Sequence, residues 1–199
     1  MGSSTGWELS KSGQKMLLIE KQDSKYETGS SFGEARFSHS SGQKNHVFSY
    51  LHQVSINKTK ELISYLNEIE KGAIHKMEEV YQTSPLTYIY YSSQLDAVNQ
   101  LLKNQRDKFE FAPNKEKASQ LFDMRIPDAA MVIRKHQKYF GALNPRVLIS
   151  KLHQGIFQSG NKVVYNREVI SLKRVGKVYE IQIKPVSYTH LTLPTIYTV

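Results

Sequence analysis

Gly2 and Glu20 are the residues whose types and spacing most directly suggest chemistry. A glycine at the mouth of a helix lets the main chain approach a pyrophosphate, which the free N–H groups and positive dipole end of the helix then hold. A carboxylate delivered about 20 residues later by the next strand can accept hydrogen bonds from ribose hydroxyls. Between the two, Ser3, Ser4, Gly6, Trp7 and Leu9 read as a short amphipathic helix opened by Gly2 and ended by Gly13. Met16-Leu17-Leu18-Ile19 reads as an apolar strand closed by Glu20. The order is the back part of a dinucleotide-binding β-α-β pattern, with Gly2 as the third glycine of G-x-G-x-x-G. The first strand and the first two glycines do not stand before it. Taken alone, this segment reads equally well as an ordinary helix–strand pair with Gly13 as C-cap.

The next segment distinguishes the two readings. Residues Gln22 to Arg36 end in Gly29-Ser30-Ser31-Phe32-Gly33-Glu34-Ala35-Arg36. An acid-ending strand, a polar loop and such a run resemble the FAD-dependent amine oxidases of the sarcosine oxidase and N-methyltryptophan oxidase type, within the D-amino-acid oxidase-like superfamily. The resemblance extends over roughly Met1 to Lys184, about half of such an enzyme. It implies FAD as cofactor and a small-molecule amine or amino acid as substrate. Its C–N bond would be oxidised by hydride transfer to the flavin, the imine would hydrolyse, and oxygen would be the reoxidant.

Carried onto this sequence, the resemblance places Gly2, Ser3 and Ser4 at the pyrophosphate and Glu20 at the adenosine ribose, with Lys21 beside it in the cofactor site. Ser30, Ser31 and Arg36 would line the approach to the flavin, where the fixed charge of Arg36 would stabilise an anionic reduced ring. The bland alternative for Arg36 is a surface ion pair with Glu34 or Glu27. Two positions depart from the family: Phe32 stands where a histidine is usual, and His39 where a second arginine holds the substrate carboxylate. His39 could take that part when protonated or as a neutral donor, so sarcosine itself is in doubt and another amine or amino acid is open.

Composition sets the outer limits. The chain has 199 residues, 39% of them hydrophobic, enough for one sizeable core or parts of two. The absence of cysteine excludes disulfides, thiolate metal sites and, within this chain, the cysteine to which sarcosine oxidases attach flavin. The net charge of +9 raises the question of nucleic acid. The basic residues are scattered, however, and form no stripe interleaved with stacking aromatics, so no nucleic-acid partner is expected. No stretch is long or apolar enough for a membrane span and no signal peptide opens the sequence, so a cytoplasmic protein is expected. His46 and His52 lack the companions a metal site needs. Oligomeric state is not legible.

Those residues need elements to position them. Val47 to Glu70 has helical apolar spacing through Phe48, Leu51, Leu62, Ile63, Leu66 and Ile69. Ile74 to Tyr91 turns to strand, with Thr87 to Tyr91 rich in β-formers whose tyrosines read as pleat packing. Gln94 to Asp107 and Lys115 to Phe122 read as helices and Ala129 to Phe140 as extended. In Gly141-Ala142-Leu143-Asn144-Pro145, Asn144 is a helix N-cap and Pro145 its first residue. Val147, Leu148, Leu152, Ile156 and Phe157 form the buried stripe, up to Gly160. This resembles the segment with which the superfamily re-enters its cofactor domain. Strands follow at Lys162 to Tyr165, Arg167 to Leu172 and Val178 to Ile183, and a valine in the position of Val169 contacts the adenine end of FAD through its backbone in the family.

The expected fold is α/β, α+β overall: a truncated Rossmann-like FAD-binding domain interleaved with a mixed-sheet substrate domain. Residues 1–45 would form the first part of the FAD-binding domain, 46–140 the substrate domain and connecting helices, and 141–185 the second part of the FAD-binding domain. Residues 186–199, with Val186-Ser187-Tyr188-Thr189-His190-Leu191, read as a translated sequencing adapter, so the chain is expected to be an internal piece of a longer gene, inactive alone and poor at retaining FAD. Two other functions stay open: an FAD-dependent 2-hydroxy-acid dehydrogenase of the same superfamily, and a non-catalytic basic binding module.

Overall fold

The computed structural model describes residues 2–25, 33–39, 46–103, 109–112, 114–122, 131–135, 140–176 and 178–186. In chain order the elements are α1 (Gly2–Lys11), β1 (Leu17–Ile19), β2 (Arg36–His39), α2 (His46–Ile69), α3 (Met77–Val80), β3 (Tyr81–Thr83), β4 (Leu86–Tyr90) and α4 (Leu95–Leu102). They continue with β5 (Phe109–Ala112), α5 (Lys115–Phe122), β6 (Met131–Lys135), β7 (Phe140–Leu143), α6 (Pro145–Gln158), β8 (Lys162–Val164), β9 (Arg167–Val175) and β10 (Val178–Pro185). The chain divides into two compact units, one of Met1–Phe32 with Ile149–Val199 and one of Gly33–Leu148.

The first unit is built on close packing of α1. Its buried face is Gly6, Trp7 and Ser10, a small-large-small set one turn long. A side chain at Gly6 would bring a Cβ to 3.0 Å from Ile156 Cδ1 and from Met16 Cε, so the glycine lets α6 and the entry to β1 lie against the helix backbone. Gly13, at φ 76°, ends the helix. Its N–H donates to Ser10 O and the Gln14 N–H donates to Leu9 O, which satisfies carbonyls the last turn leaves open. β1 then pairs in parallel with β8, Leu17 opposite Lys162 and Ile19 opposite Val164. Parallel strands each entered from a preceding helix, α1 before β1 and α6 before β8, accord with the Rossmann arrangement.

Asn161 fixes the joint from the other side. It is buried, accepts from the Met16 N–H at 2.9 Å through Oδ1, and donates from Nδ2 to Ser10 Oγ at 3.1 Å. β9 and β10 form an antiparallel hairpin around Gly176, with one irregularity: Gln182 pairs with Ser171 and Ile183 with Val169, so Ile170 is an extra residue in β9.

The second unit holds two three-stranded sheets, both antiparallel among the described residues, with orders β2-β7-β3 and β4-β6-β5. Amphipathic α2 buries Thr59, Leu62, Ile63 and Leu66, the i, i+3, i+4, i+7 face of a core helix. Tyr88 and Tyr90 stack at 6.0 Å between ring centroids and pack on Val98 and Ile133, so they are pleat packing as the sequence suggested. Gly141 in β7 is enclosed: a Cβ there would collide with the Gln82 carbonyl and the Tyr81 ring.

Two local expectations need revision, and a third is tested only in part. Met77–Val80 lies inside the stretch read as strand yet forms a helical turn, with Glu78 and Glu79 favourably placed at its positive end. Phe157 was placed in the buried stripe of α6 but is 68% exposed, whereas Leu152 and Ile156 are buried. The helix expected over Gln94 to Asp107 is α4, Leu95–Leu102, and residues 104–108 lie outside the described residues.

Replacing Gly141 with alanine should cost about 3 kcal/mol, because the obstacle includes a backbone carbonyl that cannot turn aside. Gly6→Val should cost about 1–3 kcal/mol by overfilling the contact with Ile156 and Met16. Urea unfolding of each variant beside the parent protein measures both. Full parental stability for Gly6→Val would mean that the helix does not depend on that close approach.

Candidate cofactor-binding site

The site is assembled from the two ends of the α1–β1 pair. A Cβ on Gly2 would lie 3.9 Å from Leu18 Cδ1, which puts the helix N-terminus beside the middle residue of β1. That N-terminus carries N–H groups with no partner within the helix, and a partial positive charge. Gly2 and Ser4 are exposed and Ser3 is half-buried. Immediately beyond β1, the Glu20 N–H donates to Val164 O at 2.8 Å. Its carboxylate oxygen Oε1 accepts from the Gln22 N–H at 2.9 Å, so the acid is fixed by its own loop while remaining half-buried. The helix N-terminus thus lies beside β1, and the fixed carboxylate follows directly after that strand.

Lys21 takes a different partner. Its Nζ lies 2.7 Å from Glu168 Oε1, and Lys184 reaches Oε2 of the same carboxylate at 3.2 Å. The hydrogen bonds from Lys21 and then Lys184 hold the Glu168 carboxyl below the usual carboxylate range. The pair ties the end of β1 to the start of β9. Val169 follows at once, 47% exposed and next to the bulge at Ile170.

The other predicted residues belong to the second unit or lie outside the described residues. Arg36 begins β2 in the second unit, exposed, and donates from Nη1 to Ala35 O at 2.8 Å. A Cβ on Gly33, whose φ is 119°, would approach Arg36 Nη1 to 2.7 Å, so the guanidinium lies over that glycine. The backbone of His39 pairs with Phe140. Ser30 and Ser31 lie outside the described residues. A cavity of about 530 Å³ in the second unit, lined in part by Lys60, Ile63, Met77 and Tyr81, contains none of the predicted residues. Among the described residues no group of three His, Cys, Asp or Glu could hold a metal, and no helix is long and apolar enough to cross a membrane.

Sequence reasoning missed His153. It is 4% exposed, with Nε2 2.8 Å from Ser3 Oγ and Nδ1 2.9 Å from the Tyr165 hydroxyl. Burial pushes its imidazole down from 6.5 to about 4. The signal was available, since His153 stands with Ile149, Leu152 and Ile156 at i, i+3, i+4, i+7 on one face of α6. A polar residue on a buried stripe implies a hydrogen-bonding partner. The partner, 150 residues away, was not inferable. Gly6 was placed on the amphipathic helix but not recognised as its packing glycine.

The family profile described as FAD dependent oxidoreductase, DAO, matches residues 1–191. The chain belongs to that family. FAD is the cofactor this membership brings, and the α/β fold with a Rossmann-like cofactor unit accords with it. Among solved structures, glycine oxidase from Geobacillus kaustophilus superposes with a TM-score of 0.68 at 16% identity, over 92% of this chain and 48% of that one. L-amino acid deaminase from Proteus vulgaris gives 0.65 at 14% identity, over 92% and 41%. NikD, an unusual amino acid oxidase essential for nikkomycin biosynthesis, gives 0.59 at 12% identity, over 91% and 44%. The chain therefore spans less than half the length of these structures, and at such identities the likeness is one of fold. Among curated proteins none matches.

The donor set fits an FAD. First-turn N–H groups suit a pyrophosphate, and the Glu20 carboxylate suits a ribose diol.

The histidine network makes a pH-dependent contribution to stability. Because the folded His153 is held below its ordinary value, the unfolded chain binds the extra proton first as pH falls. Stability is complete above about pH 6.5 and declines between there and about pH 4, by on the order of 1–2 kcal/mol at pH 5 after allowance for solvent screening. The loss from Glu168 belongs to the window below its ordinary value of 4.5. Thermal melts at pH 7 and pH 5 should show this drop, and His153→Gln should flatten it. An unchanged slope in the variant would contradict the assignment.

Proposed function

We propose that this chain serves an FAD-dependent oxidoreductase that oxidises the C–N bond of an amine or amino acid. The observation that carries the reading is an α1 N-terminus lying beside β1, with a carboxylate, Glu20, fixed directly after that strand. Gly2, Ser3 and Ser4 would hold the pyrophosphate and Glu20 the adenosine ribose, with Lys21 at the same end. The backbone of Val169 would meet the adenine, and the bulge beside it supports this because a bulge leaves main-chain groups outside the ladder. Ser30, Ser31 and Arg36 would face the flavin, and His39 the substrate carboxylate. FAD, when bound, supplies the acceptor for the hydride equivalent, and the protein supplies orientation and charge.

The amine or amino-acid class draws support from the run Gly29 to Arg36 and from structural neighbours named as amino acid oxidases and deaminases. The assignment of 1–45 and 141–185 to a cofactor domain and 46–140 to a substrate domain belongs to the same proposal. Support comes from a compact unit made from the two ends of the chain, which however takes only Met1–Phe32 and Ile149–Val199, so residues 33–45 and 141–148 group with the second unit. Residues 187–199 lie outside the described residues, and the family match runs to residue 191.

The test uses the full-length polypeptide whose reading frame contains these residues. It should purify with bound flavin, and amines or amino acids should bleach that flavin anaerobically. Glu20→Ala should weaken FAD retention about tenfold, the equivalent of one lost charged hydrogen bond. Bleaching by 2-hydroxy acids alone would replace the proposal with the dehydrogenase reading. A flavin-free protein that binds nucleic acid in a salt-sensitive way would replace it with a basic binding module.

A further inference from the structure

His153 sits between two hydroxyl groups, and that fixes a proton count. Nε2 is 2.8 Å from Ser3 Oγ and Nδ1 is 2.9 Å from the Tyr165 hydroxyl, all three residues belonging to the first unit. A neutral imidazole has one N–H and one lone pair. With a hydroxyl at each nitrogen, one must donate and the other accept. In one arrangement Ser3 gives its proton to Nε2 and turns only lone pairs outward. In the other, Tyr165 donates to Nδ1, Nε2–H donates to Ser3 Oγ, and the Ser3 proton remains for a third group.

We propose that His153 is a positioning residue for the anion-facing turn of α1: as the Nε2–H tautomer, held by Tyr165, it directs the Ser3 hydroxyl proton toward a pyrophosphate oxygen of FAD. The proposal rests on the FAD reading of α1 and Glu20 given above.

Three physical points select this arrangement. An anion accepts hydrogen bonds and donates none, so a hydroxyl at the positive end of α1 gains by presenting its proton and loses by presenting lone pairs. A phenol is a stronger acid than an aliphatic hydroxyl, so Tyr165 is the better donor to the imidazole lone pair. A serine hydroxyl also rotates to suit its surroundings. A buried ring fixed at its other nitrogen removes that freedom before the ligand arrives, which is preorganisation. Burial disfavours the imidazolium, which would donate at both nitrogens and leave Nδ1 no lone pair for the Tyr165 proton.

The full-length protein, made with isotopically labelled histidine, reads this directly in long-range proton–nitrogen correlation spectra above neutral pH. The His153→Gln variant identifies the resonance. With FAD bound, Nε2 should appear protonated and Nδ1 bare. The Nδ1–H tautomer in the FAD-bound protein would overturn the proposal while leaving the FAD reading intact. Failure to bind FAD at all would remove the reading beneath it, and the proposal with it. In equilibrium dialysis against FAD, His153→Gln, whose amide can still donate to Ser3, should stay within about twofold of the parent, and His153→Leu should weaken about tenfold. Equal losses in the two variants, with both melting cooperatively, would show that His153 serves only as packing.

Discussion

The first unit depends on how closely helix α1 can lie against its neighbours. At Gly6 the helix backbone, Met16 and Ile156 meet with no room for a methyl group to enter undisturbed. That contact sets the height of the helix over β1, and hence the position of its N-terminal N–H groups relative to the acid that follows the strand. Hydrophobic burial alone would not fix the height, because it is non-directional. The directional part comes from Asn161, which holds the Met16 backbone and Ser10 at once. Steric closeness and a buried amide therefore position groups that a cofactor would touch, though neither touches it.

Electrostatics around this unit are divided between buried neutral and exposed charged groups. His153 is kept neutral by burial, which leaves one donor and one acceptor to arrange among hydroxyls. Glu168 is kept ionised by two lysines at the surface. The first arrangement affects local order at the helix N-terminus, and the second joins the end of β1 to β9. Glu20 lies between them in character: half-buried and anchored through one oxygen by the Gln22 N–H.

Much of this was legible in the sequence because it is written locally. Gly13 announced the end of α1, Asn144 and Pro145 the start of α6, and Asn144 Oδ1 does accept from the Val147 N–H at 3.2 Å. The acid-ending strand and the alternating tyrosines were readable from type and spacing. What was not legible lies in contacts between residues far apart in the chain. Nothing near Ser3 announces His153, and nothing near Met16 announces Asn161. Met77–Val80 was misread because one helical turn is too short to establish a period. Phe157 was misread because an apolar residue at the margin of a helical stripe can face either way. Family membership was accessible through the run from Gly29 to Arg36, whereas substrate class depends on side chains whose surroundings no local pattern supplies.

The central claim is that the first turn of α1 and the loop opening at Glu20 together receive the adenosine diphosphate part of FAD. Amide hydrogen exchange of the reading-frame product, with and without FAD, addresses it segment by segment. The account predicts that FAD slows exchange in both residues 2–5 and residues 20–22. Saturating FAD that leaves both segments exchanging at their unliganded rates would contradict it.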